Sequence, residues 1–133
     1  MVEKENTTDR GITFGKKRKP SNKGTEFANS RAYVIGINAY SNGIPSLRTA
    51  VADAERIGQL LEKSLGYQVR AFTGKPSPSL MNLQELLNTT MPQEVAEDDR
   101  VLFYFAGHGI TLDWDDGPEG YLVPEDALSL IHI

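Results

Sequence analysis

The sequence contains no cysteine. Disulfides and cysteine-ligated zinc are therefore excluded, and the redox compartment is unconstrained. Long apolar runs are missing too, and the first thirty residues are polar rather than signal-like, so a soluble, cytoplasmic chain with no membrane partner is expected. A phosphate-binding fingerprint is also lacking. Gly74-Lys75-Pro76 has neither the upstream glycine spacing nor the Ser/Thr of a P-loop, which weighs against a nucleotide-binding α/β module. With 133 residues, 39% of them hydrophobic, the chain can bury one modest core and form at most a single domain. There are no internal repeats.

Charge is unevenly distributed. The net charge of -4 conceals a basic leader, since residues 1–30 carry seven basic and four acidic groups while the remainder carries seven basic and fourteen acidic. The leader has no apolar periodicity and is rich in Lys, Asn, Thr, Gly and Ser, so residues 1–30 are expected to be disordered. Its cluster Lys16-Lys17-Arg18-Lys19 has the composition of a nuclear-localisation or nucleic-acid patch, but a solubilising tail is the favoured reading. No aromatic interleaving or basic face elsewhere supports a nucleic-acid partner.

From Arg31 strand and helix signals alternate. Ala32 to Ile37 is a compact β-rich run, followed by an Asn-, Ser-, Gly- and Pro-dense loop from Asn38 to Pro45. Ala50, Ala54, Ile57, Leu61 and Leu65 recur at three- and four-residue steps, which predicts a helix with one apolar stripe that stops at Gly66. Tyr67 to Phe72 reads as a second strand. A second helix is expected after Ser79 as N-cap, with Leu80, Leu83 and Leu87 on its buried side and its end before Pro92. Val101 to Phe105, apolar throughout, is expected to be a central strand buried on both faces, and Tyr121 to Val123 a further short strand. The β-α-β-α-β order predicts an α/β fold with a mostly parallel sheet flanked by helices.

The strand Val101–Phe105 leads into Ala106-Gly107-His108-Gly109. Little side-chain bulk surrounds the imidazole, which sits at the carboxyl end of a strand, where open α/β sheets place their chemistry. An imidazole takes up and returns a proton near neutrality, so His108 is the candidate general base or acid. A histidine that only caps the strand through its backbone is the bland alternative, and the Gly-His-Gly setting weighs against it.

Five blocks together resemble the caspase-like cysteine peptidases (peptidase family C14), in particular the bacterial and metacaspase-type members. They are Tyr33-Val-Ile-Gly-Ile-Asn-Ala-Tyr40, Leu47-Arg-Thr-Ala-Val-Ala-Asp-Ala54, Leu65-Gly-Tyr67, Phe103-Tyr-Phe-Ala-Gly-His-Gly109 and Gly120-Tyr-Leu-Val-Pro-Glu-Asp-Ala127. The resemblance implies a caspase-type fold and a role for His108: to assist a cysteine thiolate that attacks a peptide carbonyl. It implies that the Gly109 amide donates to the oxyanion. It also implies a pocket for the residue before the scissile bond (P1), where Asp53 matches the metacaspase carboxylate that pairs with Arg or Lys. Arg48 matches the caspase arginine that reads Asp, and P1 Arg/Lys is favoured. Each has an ordinary structural alternative, a first-turn carboxylate for Asp53 and a loop-to-helix ion pair for Arg48.

No cofactor is expected. Asp113, Asp115, Asp116 and Glu119 have the hard oxygens that suit calcium, but their spacing does not fit an EF-hand, and a solvated acidic loop is favoured over a metal site. In caspases the histidine precedes the cysteine by about 50 residues, whereas 25 residues follow His108 here. Residues 31–127 are therefore expected to be the N-terminal part of a peptidase domain truncated on its C-terminal side, inactive alone, with further domains possible in the full-length protein. The tail Leu128-Ser-Leu-Ile-His-Ile133 matches the in-frame translation of CTGTCTCTTATACACATC, a transposon mosaic end, and is expected to be adapter-derived, leaving His132 without function. The peptidase reading implies peptide or protein substrates. Its main alternative is a catalytically inactive caspase-like module that binds partners.

Overall fold

The computed structural model describes residues 26–128. The readings of the leader over residues 1–25, its Lys16–Lys19 cluster included, and of residues 129–133 lie outside the described residues. The elements run β1 (Ser30–Gly36), α1 (Ala50–Leu65), β2 (Gln68–Phe72), α2 (Leu80–Glu85), a π-helical turn (Leu86–Thr90), α3 (Met91–Glu94), β3 (Arg100–Ala106), β4 (Gly109–Trp114) and β5 (Gly117–Leu122). Strands β2, β1 and β3 form a parallel sheet in that order, with Ala32 opposite both Val69 and Leu102. This is the expected parallel α/β architecture.

β1 organises both layers. Its alternate residues Ala32 and Val34 pack on one face with Ala54 and Leu61 of α1. Tyr33 and Ile35, followed by Ile37, pack on the other face with Leu86. Side chains two apart along a strand share a face, so one continuous apolar run serves two helical layers. The α1 stripe works because its contact residues are small. Ala50, Ala54 and Gly58 let the helix lie against the end of β1, where a Cβ on Gly36 would stand 2.7 Å from the Ala54 Cβ and 2.9 Å from the Ala50 carbonyl. Gly66, at φ 73°, ends α1 in the left-handed region, as glycine does most readily. Leu65, expected on the stripe, closes the helix exposed to solvent.

The second helical layer departs from the periodic reading. Ser79 is the N-cap, with a capping box to Asn82. The helix does not stop before Pro92, and Leu80 and Leu87 are each 50% exposed while Leu86 is 3% exposed. Leu80 stands in the first turn of α2, and Leu86 rather than Leu87 faces the sheet beside Leu83. Met91 N–H then bonds to the Leu86 carbonyl, one residue wider than an α turn, which keeps Met91 and Val95 on the same buried face. Pro92 then sits in the first turn of α3, where its missing N–H is tolerated.

Two further expectations are corrected. β3 is an edge strand among the described residues, and β1 is the central one. Apolarity on both faces of β3 does not bury it, because α2 to α3 covers Phe105 but leaves Val101 and Phe103 39% and 37% exposed. The acidic stretch after His108 is not an open loop. β4 and β5 pair as an antiparallel hairpin closing at Trp114 opposite Gly117, with Asp115 and Asp116 in the turn.

The amino-terminal edge of the sheet is fixed by Asp99, whose side chain is out of contact with solvent. It accepts from Ala96 N–H at 2.9 Å, Arg31 Nε at 2.7 Å and Asn29 Nδ2 at 3.0 Å. These bonds, the Ala96 amide first and the arginine second, lower its pKa to about 2. β1 thus begins at Ser30 with Ala28 and Asn29 already tied to the neighbouring segment, Ala28 N–H bonding Asp98 and Arg100 N–H bonding Asn29.

Gly36→Ala has no space for its methyl group and should destabilise the fold by about 1–3 kcal/mol in urea unfolding. A carboxyl whose pKa falls on folding adds stability above its unfolded value, ~3.9 for aspartate, and that stability is lost as pH falls through the folded value. The wild-type midpoint should therefore drop as pH is lowered from about 4 towards 2. Asp99→Asn should be less stable at neutral pH and show a shallower acid dependence over that window.

Candidate functional site

After β1 the chain crosses through α1 to β2 on one side, then returns through α2 and α3 to β3 on the other. The carboxyl ends of β1 and β3 are thus the topological switch point, where loops diverge and leave a crevice. The loop after β1 and the turn after β3 meet here, starting from the bond of Ile37 N–H to the Ala106 carbonyl at 3.0 Å.

Asn38 shapes the first loop. Its carbonyl accepts from Leu47 N–H at 2.8 Å, and its Oδ1 accepts from Val51 N–H at 3.1 Å. The second bond satisfies an otherwise free amide in the first turn of α1, a task that the local N-cap Thr49 does not perform. The loop closes into an arc that brings the Pro45 carbonyl 2.8 Å from His108 Nε2. A carbonyl can only accept, so this bond needs a proton on Nε2, and in the neutral ring Nδ1 then presents its lone pair. His108 is half-buried.

Tyr40 belongs to the same loop. Its hydroxyl accepts from His108 N–H at 2.8 Å and donates to the Val123 carbonyl at 3.2 Å. Its ring lies 5.0 Å from the imidazole, tilted by 59°. Burial pushes the phenol pKa up, opposed by the amide bond from His108.

The two glycines beside His108 have different roles. A Cβ on Gly107 would lie 2.7 Å from the Tyr40 hydroxyl and 2.9 Å from the Phe105 ring, so only glycine fits. Gly109 has no positive φ, and a Cβ there would meet only the Tyr121 carbonyl at 3.5 Å. Its need for turn freedom is not evident. The hairpin register continues to His108 and Val123, where Val123 N–H bonds the His108 carbonyl at 3.0 Å. In an antiparallel ladder bonded pairs alternate with unbonded ones, so the Gly109 amide is directed away from Leu122.

Arg48 and Asp53 are both exposed, in the approach to α1 and in its first turn. They follow Pro45 closely in the chain, and no ion pair joins them among the described residues. The carboxylates Asp113, Asp115, Asp116 and Glu119 are exposed on the hairpin. Glu119 accepts from the Tyr121 hydroxyl at 2.7 Å, which itself accepts from Trp114 Nε1 at 3.1 Å. Beyond Arg100 the sequence contains no Lys or Arg. A cavity of ≈ 410 Å³ lies elsewhere, lined by Arg70, Phe72, Lys75, Asn82, Leu86 and Thr90, and includes none of the expected site residues.

The block Pro124–Ala127 straps the site loop from outside. Ser41 N–H bonds the Glu125 carbonyl at 3.0 Å, the Ser41 hydroxyl meets the Glu125 carboxylate, and Asn42 Nδ2 reaches the Asp126 and Ala127 carbonyls at 3.1 and 3.2 Å. Asp126 also accepts from Leu80 N–H at the start of α2, at 2.8 Å. The contributions of Asn38, Tyr40 and Pro45 were missed in the sequence reading. Asn38 and Tyr40 lie in a block that signalled a site, whereas Pro45 acts through its carbonyl, which carries no residue signature.

Fold and site together define an open α/β domain with a hydrogen-bonded imidazole at its switch point. The family model for the caspase domain, peptidase C14, matches residues 29–132, and the chain belongs to this family. No curated protein matches it. No helix among the described residues is long and apolar enough to cross a membrane.

Asn38→Ala removes the remote cap of α1 and should cost about 0.5–2 kcal/mol of stability by urea denaturation, the usual range for a lost cap. The change should also broaden the amide signals of residues 38–47 in NMR spectra.

Proposed function

We propose that this chain supplies the base half of a metacaspase-type cysteine endopeptidase whose thiol is contributed by sequence beyond these 133 residues. The observation that carries the reading is the Pro45 carbonyl bond to His108 Nε2, which leaves Nδ1 as the proton acceptor at the switch point. Nδ1 takes the thiol proton, and the thiolate adds to the scissile carbonyl carbon. The resulting oxyanion is stabilised by an amide donor, for which Gly109 N–H is suited because the hairpin does not use it. The imidazolium returns its proton to the leaving amine as the C–N bond breaks. Water then adds to the acyl-enzyme, with His108 again as base, and the thiol is regenerated.

Arg or Lys is the proposed P1 residue, with Asp53 as its carboxylate partner. An exposed carboxylate in the first turn of α1 and a hairpin bearing four more draw cationic peptides towards this edge. Arg48, which would suit an acidic P1 residue, is the competing determinant. Without a thiol the 133-residue chain should not cleave peptides.

The complete reading frame provides the test. A strand ending in Asp-x-Cys-x-x-Gly should follow these residues, and the full protein should hydrolyse fluorogenic peptides with P1 Arg faster than those with P1 Asp. His108→Ala should lower kcat/KM by about 10²–10⁴-fold, the usual contribution of a general base. Asp53→Asn should selectively impair Arg substrates. A frame with no such cysteine would instead identify a partner-binding module without peptidase activity.

A further inference from the structure

The bond pattern around His108 departs from that of a regular hairpin. His108 and Val123 continue the β4–β5 register, and Val123 N–H donates to the His108 carbonyl at 3.0 Å. In a regular antiparallel bonded pair the second bond would run from His108 N–H to the Val123 carbonyl. Here the Tyr40 hydroxyl stands between those groups, accepting from one at 2.8 Å and donating to the other at 3.2 Å.

A phenol has one proton to donate, so the bridge has a fixed polarity. Gly107 is the residue that makes room for it, since any β-carbon there would collide with the hydroxyl. The ring above the hydroxyl flanks the imidazole, and five residues further along the same loop the Pro45 carbonyl holds Nε2 at 2.8 Å. One loop thus grips the histidine by its backbone and by its ring.

We propose that Tyr40 is a positioning residue that wedges open the His108–Val123 pair, aiming the imidazole at Pro45 and biasing it to the Nε2–H tautomer. Closing the pair directly would draw the His108 backbone towards Val123 and rotate the ring off the Pro45 carbonyl. Leaving the pair open without the hydroxyl would strand a donor and an acceptor beside the buried Val123. Both outcomes weaken the tautomer bias. A phenol keeps its proton at neutral pH, and burial moves the Tyr40 hydroxyl further from ionisation. Tyr40 acts through His108 rather than on substrate, and its catalytic value rests on the peptidase reading above.

The chain as it stands is the test material, since the readout is the histidine itself. In ¹⁵N spectra of the imidazoles, assigned with His132→Gln, wild-type His108 should be predominantly the Nε2–H tautomer at high pH. The Tyr40 hydroxyl proton should be visible, protected from exchange and close to the His108 amide proton. Tyr40→Phe should lower the Nε2–H to Nδ1–H ratio roughly threefold to tenfold, as expected for loss of one hydrogen bond. Gly107→Ala, which displaces the hydroxyl, should produce a change in the same direction. A rapidly exchanging Tyr40 hydroxyl in wild type would overturn the proposal, as would a folded Tyr40→Phe with an unchanged tautomer ratio. Neither result depends on a thiol, so failure of the peptidase reading would leave this measurement intact.

Discussion

A strand with helices on both faces and strands on both edges can bury a polar group only where a partner meets it, as Glu94 meets the Tyr33 hydroxyl at 2.9 Å. β1 meets that constraint from Ala32 to Ile35, every one of which is essentially inaccessible to solvent. The demand for shape is as strict as that for apolarity, since interiors pack with few voids. Small residues on α1 and Gly36 on the strand set a short helix-to-sheet distance. Larger residues fill the opposite layer, where the π turn keeps Met91 on the buried face with Leu86.

The same burial explains why the chemistry lies at the end of β1. A fully enclosed strand must deliver its chain to the surface abruptly, and the backbone groups of the emerging loop then need partners. Asn38 provides two, the Pro124–Ala127 block provides more, and Tyr40 ties the loop to the hairpin. What results is a loop with defined geometry, in which a plain carbonyl can orient an imidazole. Such geometry is usually supplied to a catalytic histidine by a side-chain carboxylate.

The fold was largely legible because β1 is a compact β-rich run and α1 has a clear helical period ended by a glycine. α2 was legible only at its capped start. Stripe arithmetic places Leu80 and Leu87 inside, yet they lie half exposed, because Leu80 stands in the first turn and Leu86, not its neighbour Leu87, faces the sheet. β3 was misplaced for another reason: hydrophobicity records what a strand can pack against, not which neighbours are present. At the site, His108 was visible through its glycine setting. Pro45 was invisible because a carbonyl is common to all residues. Tyr40 was visible as part of a block but not as a bridge, since the bridge depends on a register formed 68 residues later in the chain.

The segment around the histidine has one further property. From Val101 onward there is no lysine or arginine, although the hairpin stands beside the crevice and exposes much of its surface. A peptidase that cuts after basic residues would find no scissile bond in this hairpin. Within residues 1–133 every bond that follows a Lys or Arg therefore lies at or before Arg100, the first residue of β3, and the arm carrying His108 would stay in one piece under such a peptidase.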